Sequence, residues 1–127
     1  MTGSIDPKTT YIHLSDGPEV RPVEVTADFW EKIASRHDLH EGRLITTFYQ
    51  SQNWTTWEMH PAGEEVIVLL SGAAELVLDT PEGEQIVPLQ AGRACIIPQG
   101  CWHTARVQIP GDIMVITRGA GTQNRPL

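Results

Sequence analysis

Residues 58–72 read EMHPAGEEVIVLLSG and residues 92–107 read GRACIIPQGCWHTARV, and the fold turns on these two stretches. In the first, Glu58 and His60 stand two residues apart. After Pro61-Ala62-Gly63, Glu65 opens the apolar run Val66–Leu70, which stops at Ser71-Gly72. A short apolar run bounded by Gly and Pro has the length of a strand rather than a helix. Strand side chains alternate between faces, so along Trp54–His60 the residues Thr56, Glu58 and His60 share one surface and Trp57 and Met59 the other. Along Glu65–Leu70, Glu65, Ile67 and Leu69 face one way and Val66, Val68 and Leu70 the other. That strand is apolar on both faces after its first residue, so its outside needs a cover. The candidates are the N-terminal arm, a helix at Thr26–Arg36, or a second copy of the chain; a homodimer is the expectation. In the second stretch the odd positions His103, Ala105, Val107 and Ile109 form one face and Thr104, Arg106 and Gln108 the other, which turns His103 toward the interior.

Outward from these stretches, runs rich in β-branched and apolar residues recur between Gly, Pro, Asp and Asn. They are Arg43–Gln50, Trp54–His60, Glu65–Leu70, Ala73–Asp79, Glu84–Leu89, Arg93–Pro98, His103–Ile109 and Asp112–Arg118, a count that predicts an antiparallel barrel or sandwich. Ser71-Gly72 offers a tight reversal and Thr80–Gly83 a longer hairpin loop. One helix is expected at Thr26–Arg36, where Thr26 can cap, Asp28 and Glu31 suit the N-terminal end, and Phe29, Trp30, Ile33 and Ala34 form a stripe. The first 20 or so residues and the tail RGAGTQNRPL read as extended arms or partly disordered ends.

The 127 residues carry 9 Lys+Arg against 16 Asp+Glu, a net charge of −7, which suits one domain and opposes binding to nucleic acid. No run approaches a membrane span, and MTGSIDPKTT lacks the basic flank and apolar core of a secretory signal, so a cytoplasmic location and no membrane partner are expected. Cys95 and Cys101 alone cannot form a disulfide framework, and no Cys/His finger spacing is present.

The two stretches resemble the paired motifs of the cupin superfamily. In its first motif a histidine pair at alternate positions is followed by a glutamate and, seven residues on, a glycine; His60, Glu65 and Gly72 fit. In the second, Gly92, Pro98, Gly100 and His103 fall on the family spacing. Glu58 stands where the first histidine is usual, and Val107 where the second motif often ends in asparagine. The resemblance implies a small single-domain cupin of the conserved-barrel type. That is an all-β antiparallel β-barrel (double-stranded β-helix or jelly roll) with one short N-terminal helix. Residues 1–42 would form an N-terminal arm and helix packing on the barrel, 43–118 the barrel, and 119–127 a C-terminal tail.

It also implies one divalent metal ion, Fe, Mn, Ni or Zn, held by His60, Glu65 and His103. Two histidines and one carboxylate already leave coordination positions open for substrate or oxygen. Glu58 has three open readings: a fourth ligand, a group that holds an imidazole in place, or a general base. Adding Glu58 would bring the ligand charge to −2, cancelling a divalent ion, which steadies a buried site and weakens it as a Lewis acid. Without a metal the paired carboxylates would repel and one pKa would rise. Each histidine also has a plainer reading as a hydrogen-bonded core residue, and Glu64 reads as surface.

The glycines read as turn residues, and Pro98 as the end of a strand. Cys95 reads as a small core residue, and Cys101 as a residue near the pocket mouth. Trp57, Trp102, Phe48 and Tyr49 read as pocket lining or packing, and His13, His37 and His40 as surface. The functional expectation is a metal-dependent, dioxygenase-like enzyme on a small organic molecule, with a metal-dependent isomerase or lyase beside it. The alternative from another class is a cupin that binds or senses a small molecule without turnover, since one fold hosts many activities.

Overall fold

The protein is described by a computed structural model covering residues 3–127. Eleven strands form among the described residues: β1 (Thr10–Leu14), β2 (Val20–Glu24), β3 (Arg43–Gln50), β4 (Thr56–Met59), β5 (Glu65–Leu69), β6 (Ala73–Thr80), β7 (Gly83–Gln90), β8 (Ala94–Ile97), β9 (Trp102–Ile109), β10 (Gly111–Thr117) and β11 (Gln123–Pro126). They make two antiparallel sheets, ordered β2-β1-β3-β10-β5-β8 and β11-β4-β9-β6-β7. The inward residues of each, among them Ile67 and Leu69 of β5, Leu76 and Leu78 of β6, Ala105 of β9 and Ile113 of β10, meet in one core. No helix of the described residues is long and apolar enough to cross a membrane.

The expected strand runs all form, with ends shifted by one or two residues. Alternation holds through Ala105 and then fails. A bulge pairs Ala74 with Val107 but Ala73 with Ile109, which inserts Gln108 and turns Ile109 outward, 60% exposed.

The expected helix at Thr26–Arg36 does not form; the segment is a series of turns followed by 3₁₀ turns at Ile33–Ser35 and His37–Leu39. The Thr26 hydroxyl donates to the Asp28 carboxylate instead of capping, and the Ser35 hydroxyl takes the Lys32 carbonyl. Most of the backbone bonds span three residues, as in Phe29 to Thr26, Ser35 to Lys32 and Arg36 to Ile33. Packing also favours the tighter path, because Phe29 and Leu39 enter a second small core with Tyr11, Val23 and Leu44. Tyr11 meets Phe29 edge to face at 5.3 Å.

Among the described residues, strands form near both ends of the chain. Strands β1 and β2 extend the first sheet past β3, and β11 extends the second past β4. Arg125 of β11 sits 4.5 Å over the Trp102 ring and 5.5 Å over Trp57, with Asp79 2.6 Å away, so these two tryptophans clamp the C-terminal strand. His13, read as surface, faces inward from β1 and is 3% exposed, its Nε2 2.7 Å from the Glu41 carbonyl. His37 and His40 are exposed as expected.

The outer face of the first sheet carries Ile12, Ile45, Ile116, Val66 and Ile96 in register across five strands. The N-terminal strands add to the edge of this sheet and leave its face open, while the 26–40 segment packs on the inner side against Tyr11 and Leu44. Of the three covers considered, these two are thereby removed, and Ile96 stays 63% exposed.

Candidate metal centre

Glu58 comes from β4, His60 from the residue after it, and His103 from β9, all on the second sheet; Glu65 reaches across from the first. Glu58 and His103 are direct cross-strand partners, which sets their side chains on one inward surface. His60 follows by alternation. The loop before β9 is tied to the end of β4 by the Gly100 amide donating to the His60 carbonyl at 3.0 Å, and by the Gln99 amide donating to the Pro61 carbonyl at 2.7 Å. The two sequence motifs are therefore bonded to each other at the site.

Glu58, His60 and His103 each offer a ligand atom within 4.8 Å of the others. Glu65 bridges the imidazoles, Oε2 lying 2.8 Å from His60 Nε2 and Oε1 2.9 Å from His103 Nε2. All four sequence-derived candidates thus converge. His60, Glu65 and His103 are buried, and Glu58 is partly buried.

The tautomers follow from the outer partners. A carbonyl can only accept, so His103 Nδ1 donates to the Cys101 carbonyl at 3.0 Å. The Thr122 hydroxyl donates to the Gly119 carbonyl and so accepts from His60 Nδ1 at 2.8 Å. As neutral rings, both would present an Nε2 lone pair to the same carboxylate. Acceptor would then face acceptor, and His60 Nε2, His103 Nε2 and Glu65 Oε1 are buried without a hydrogen-bond partner. Such atoms are costly unless a cation lies among them. Two protons or one divalent ion would balance the two carboxylates, and the ion serves all the inward atoms from one point. The residues present therefore fit a divalent metal.

Burial pushes the Glu65 carboxyl up, but the imidazoles of His103 and His60 outweigh it and hold it at about 2. Glu58 goes the other way: burial raises it, Glu65 adds to the rise, and His60 and His103 oppose it. Burial lowers His103, yet the Glu65 carboxylate raises it overall. Two like carboxylates are thus held in different states by their neighbours, Glu65 as a charged bridge and Glu58 as the group that takes a proton more readily.

Sequence reasoning missed three contributors. Thr117 donates its hydroxyl to Glu65 Oε2, Thr122 orients His60, and the Cys101 carbonyl orients His103. None carries a local signal; each is placed by the fold. The Cys101 thiol itself lies by the Asp79 carbonyl at 3.7 Å and is pushed up by burial, so its main chain, not its sulfur, serves the site.

Glu58, His60 and Glu65 open onto a cavity of about 770 Å³, within the range of roughly 300–1,000 Å³ usual for small-molecule sites. Phe48, Trp54, Tyr11 and Trp30 line it. Of the other aromatic candidates, Trp57 and Trp102 hold Arg125 and Tyr49 is exposed.

A family model described as "Cupin domain" matches residues 44–119. Among solved structures, a cupin-2 domain containing protein from Shewanella frigidimarina is similar at 23% identity and a TM-score of 0.51, over 58% of this chain and 68% of that one. A cupin superfamily protein from Desulfitobacterium hafniense matches at 19% identity and 0.51, over 59% of this chain and 65% of that one. A hydroquinone 1,2-dioxygenase matches at 18% identity and 0.50, over 59% of this chain and 56% of its own. At these identities the likeness is one of fold. No curated protein matches the chain.

Proposed function

Because the chain belongs to the cupin-domain family, we propose that it is a metal-dependent, dioxygenase-like enzyme acting on a small organic molecule, its ion held by His60, Glu65 and His103 with Glu58 beside them. The observation that carries this reading is the set of partnerless buried atoms on His60, Glu65 and His103, pointed at one another with both ring tautomers set for ligation. A divalent ion with open coordination positions would polarise a substrate oxygen and support oxygen chemistry there. The chain's own residues do the rest. Thr122 and the Cys101 carbonyl keep the imidazole lone pairs inward, and Thr117 holds Glu65 in its bridging pose. The aromatic walls exclude water, and Glu58 accepts a substrate proton at its carboxylate. Protein reconstituted with Fe(II) should bind about one ion per chain and consume oxygen with one member of a panel of diketones, thiols and phenols. A ligand-dependent thermal shift with no oxygen uptake would instead favour the binding or sensing cupin.

The same reading includes a second copy of the chain over the outer face of the first sheet. Support comes from the five-strand apolar row and from the other two covers lying elsewhere. A self-complementary contact of this face with itself buries the row. Ile96→Lys, at an exposed position that costs the monomer little, should halve the mass measured by light scattering in solution, with the metal content unchanged. A wild-type monomer would end this part of the reading.

A further inference from the structure

The walls of the cavity beside the candidate metal centre have a chemistry of their own. Toward the centre stand Glu58, His60, Glu65, Thr117, Thr122 and Asn124; away from it the lining turns apolar, with Phe48, Trp54 and Val115, and then Tyr11, Trp30 and Ile33. Among the described lining residues none is Lys or Arg. A carboxylate or phosphate ligand entering this space would lose its hydration and meet no Lys or Arg, with His40 and His60 the basic groups of the lining, while two carboxylates already stand at the polar end. With a divalent ion bound, those two carboxylates would cancel its charge and leave no net attraction for an anion.

Much of the hydroxyl and imidazole donor capacity at that end is already committed. The Thr117 hydroxyl is committed to Glu65 and the Thr122 hydroxyl to Gly119, while the His60 Nδ1 proton is committed to Thr122. Glu58 offers carboxylate oxygens, which accept and so call for a donor on the ligand. At the other end the flat walls suit rings. Trp54 lies 6.2 Å from the His103 ring, which carries aromatic surface up to the candidate ligands, and Tyr11 stands 5.9 Å from Trp30 on the far side.

We infer that the cavity takes an uncharged aromatic alcohol of one or two rings, its rings against Phe48, Trp54 and Tyr11 and its hydroxyl donated to Glu58. The inference rests on the reading of this cavity as the substrate site, and it names the class of substrate. It also sets small dicarboxylates apart as poor ligands, since these walls supply no Lys or Arg.

Calorimetric titration of the full chain, metal-free and zinc-loaded, with 4-phenylphenol, biphenyl-4-carboxylate and oxalate tests it. The phenol should bind at least about tenfold tighter than the carboxylate of the same shape, and oxalate should give no measurable heat in the metal-free protein. Phe48→Ala should weaken the phenol by about tenfold. Because that residue also packs on the core, a second variant is placed at the exposed lining residue Ala34. Ala34→Arg should strengthen the carboxylate by about tenfold and leave the phenol nearly unchanged. A carboxylate or oxalate that binds as tightly as the phenol, or affinities that neither variant moves, would overturn the inference. A chain that takes zinc but no phenol overturns it alone. A chain that binds the phenol with these preferences and takes no zinc supports it while overturning the metal reading.

Discussion

Alanine in place of His103 or His60 is expected to strip the protein of its ion, lowering affinity by at least about 100-fold, so that metal per chain after dialysis falls from near one to near zero. The effect is large because each imidazole supplies an Nε2 whose direction is set from behind, by the Cys101 carbonyl for His103 and by Thr122 for His60. Thr122→Val keeps both rings and removes only the orienting oxygen, so its loss should be intermediate, about 10-fold to 100-fold. Glu58→His should keep the ion, since it changes the donor type while leaving the bridge between Glu65 and the two histidines in place. Elemental analysis of folded, reconstituted protein reads all four variants. Full occupancy in both alanine variants would refute the ligand assignment.

Gly72→Ala is expected to be the most damaging of the single-methyl additions at the motif glycines. Its φ is +83°, and an added Cβ would stand 2.4 Å from the Ile109 carbonyl oxygen and 2.8 Å from that of Pro110. Both neighbours are backbone and cannot swing aside. Gly92 and Gly100 have similar positive φ, +85° and +74°, but a Cβ there meets nothing within 4 Å. Backbone strain alone costs on the order of 1–3 kcal/mol, so Gly92→Ala should cost about 1 kcal/mol and Gly72→Ala upward of about 3. In thermal unfolding the two should separate by about 6–10 °C. Coincident melting of the two variants would show that the close approach at Gly72 does not matter.

The difference among these glycines marks the limit of local reading. Ser71-Gly72 is legible as a reversal, but it joins β5 of one sheet to β6 of the other, and Pro110 carries the chain back from β9 to β10. The two crossings touch: a Cβ on Gly111 would lie 2.2 Å from the Ser71 carbonyl oxygen, and the Asp112 amide donates to the Ser71 hydroxyl oxygen at 2.8 Å. Nothing within either turn announces the other. The bulge at Gln108 was hidden in the same way, because alternation counts residues and cannot see that the partner strand skips one. At Thr26–Arg36 a helical stripe was present, yet the burial of Phe29 and Leu39 in the small second core drew the segment into 3₁₀ turns.

Strand order along the chain, the shared face of Glu58 and His60, the inward turn of His103, and the net negative charge were determined by the sequence alone. Each depends on period-two alternation, turn residues or summed charge, which are short-range or additive properties. Tertiary structure alone decided that Glu65 crosses from the opposite sheet to bridge the histidines, that Thr117, Thr122 and the Cys101 carbonyl support them, and that the termini pair as β1, β2 and β11. These contacts join residues up to 70 positions apart, as Thr56 and Pro126 are. Their energy depends on distance and direction in the folded chain, and no local pattern of residue types records either.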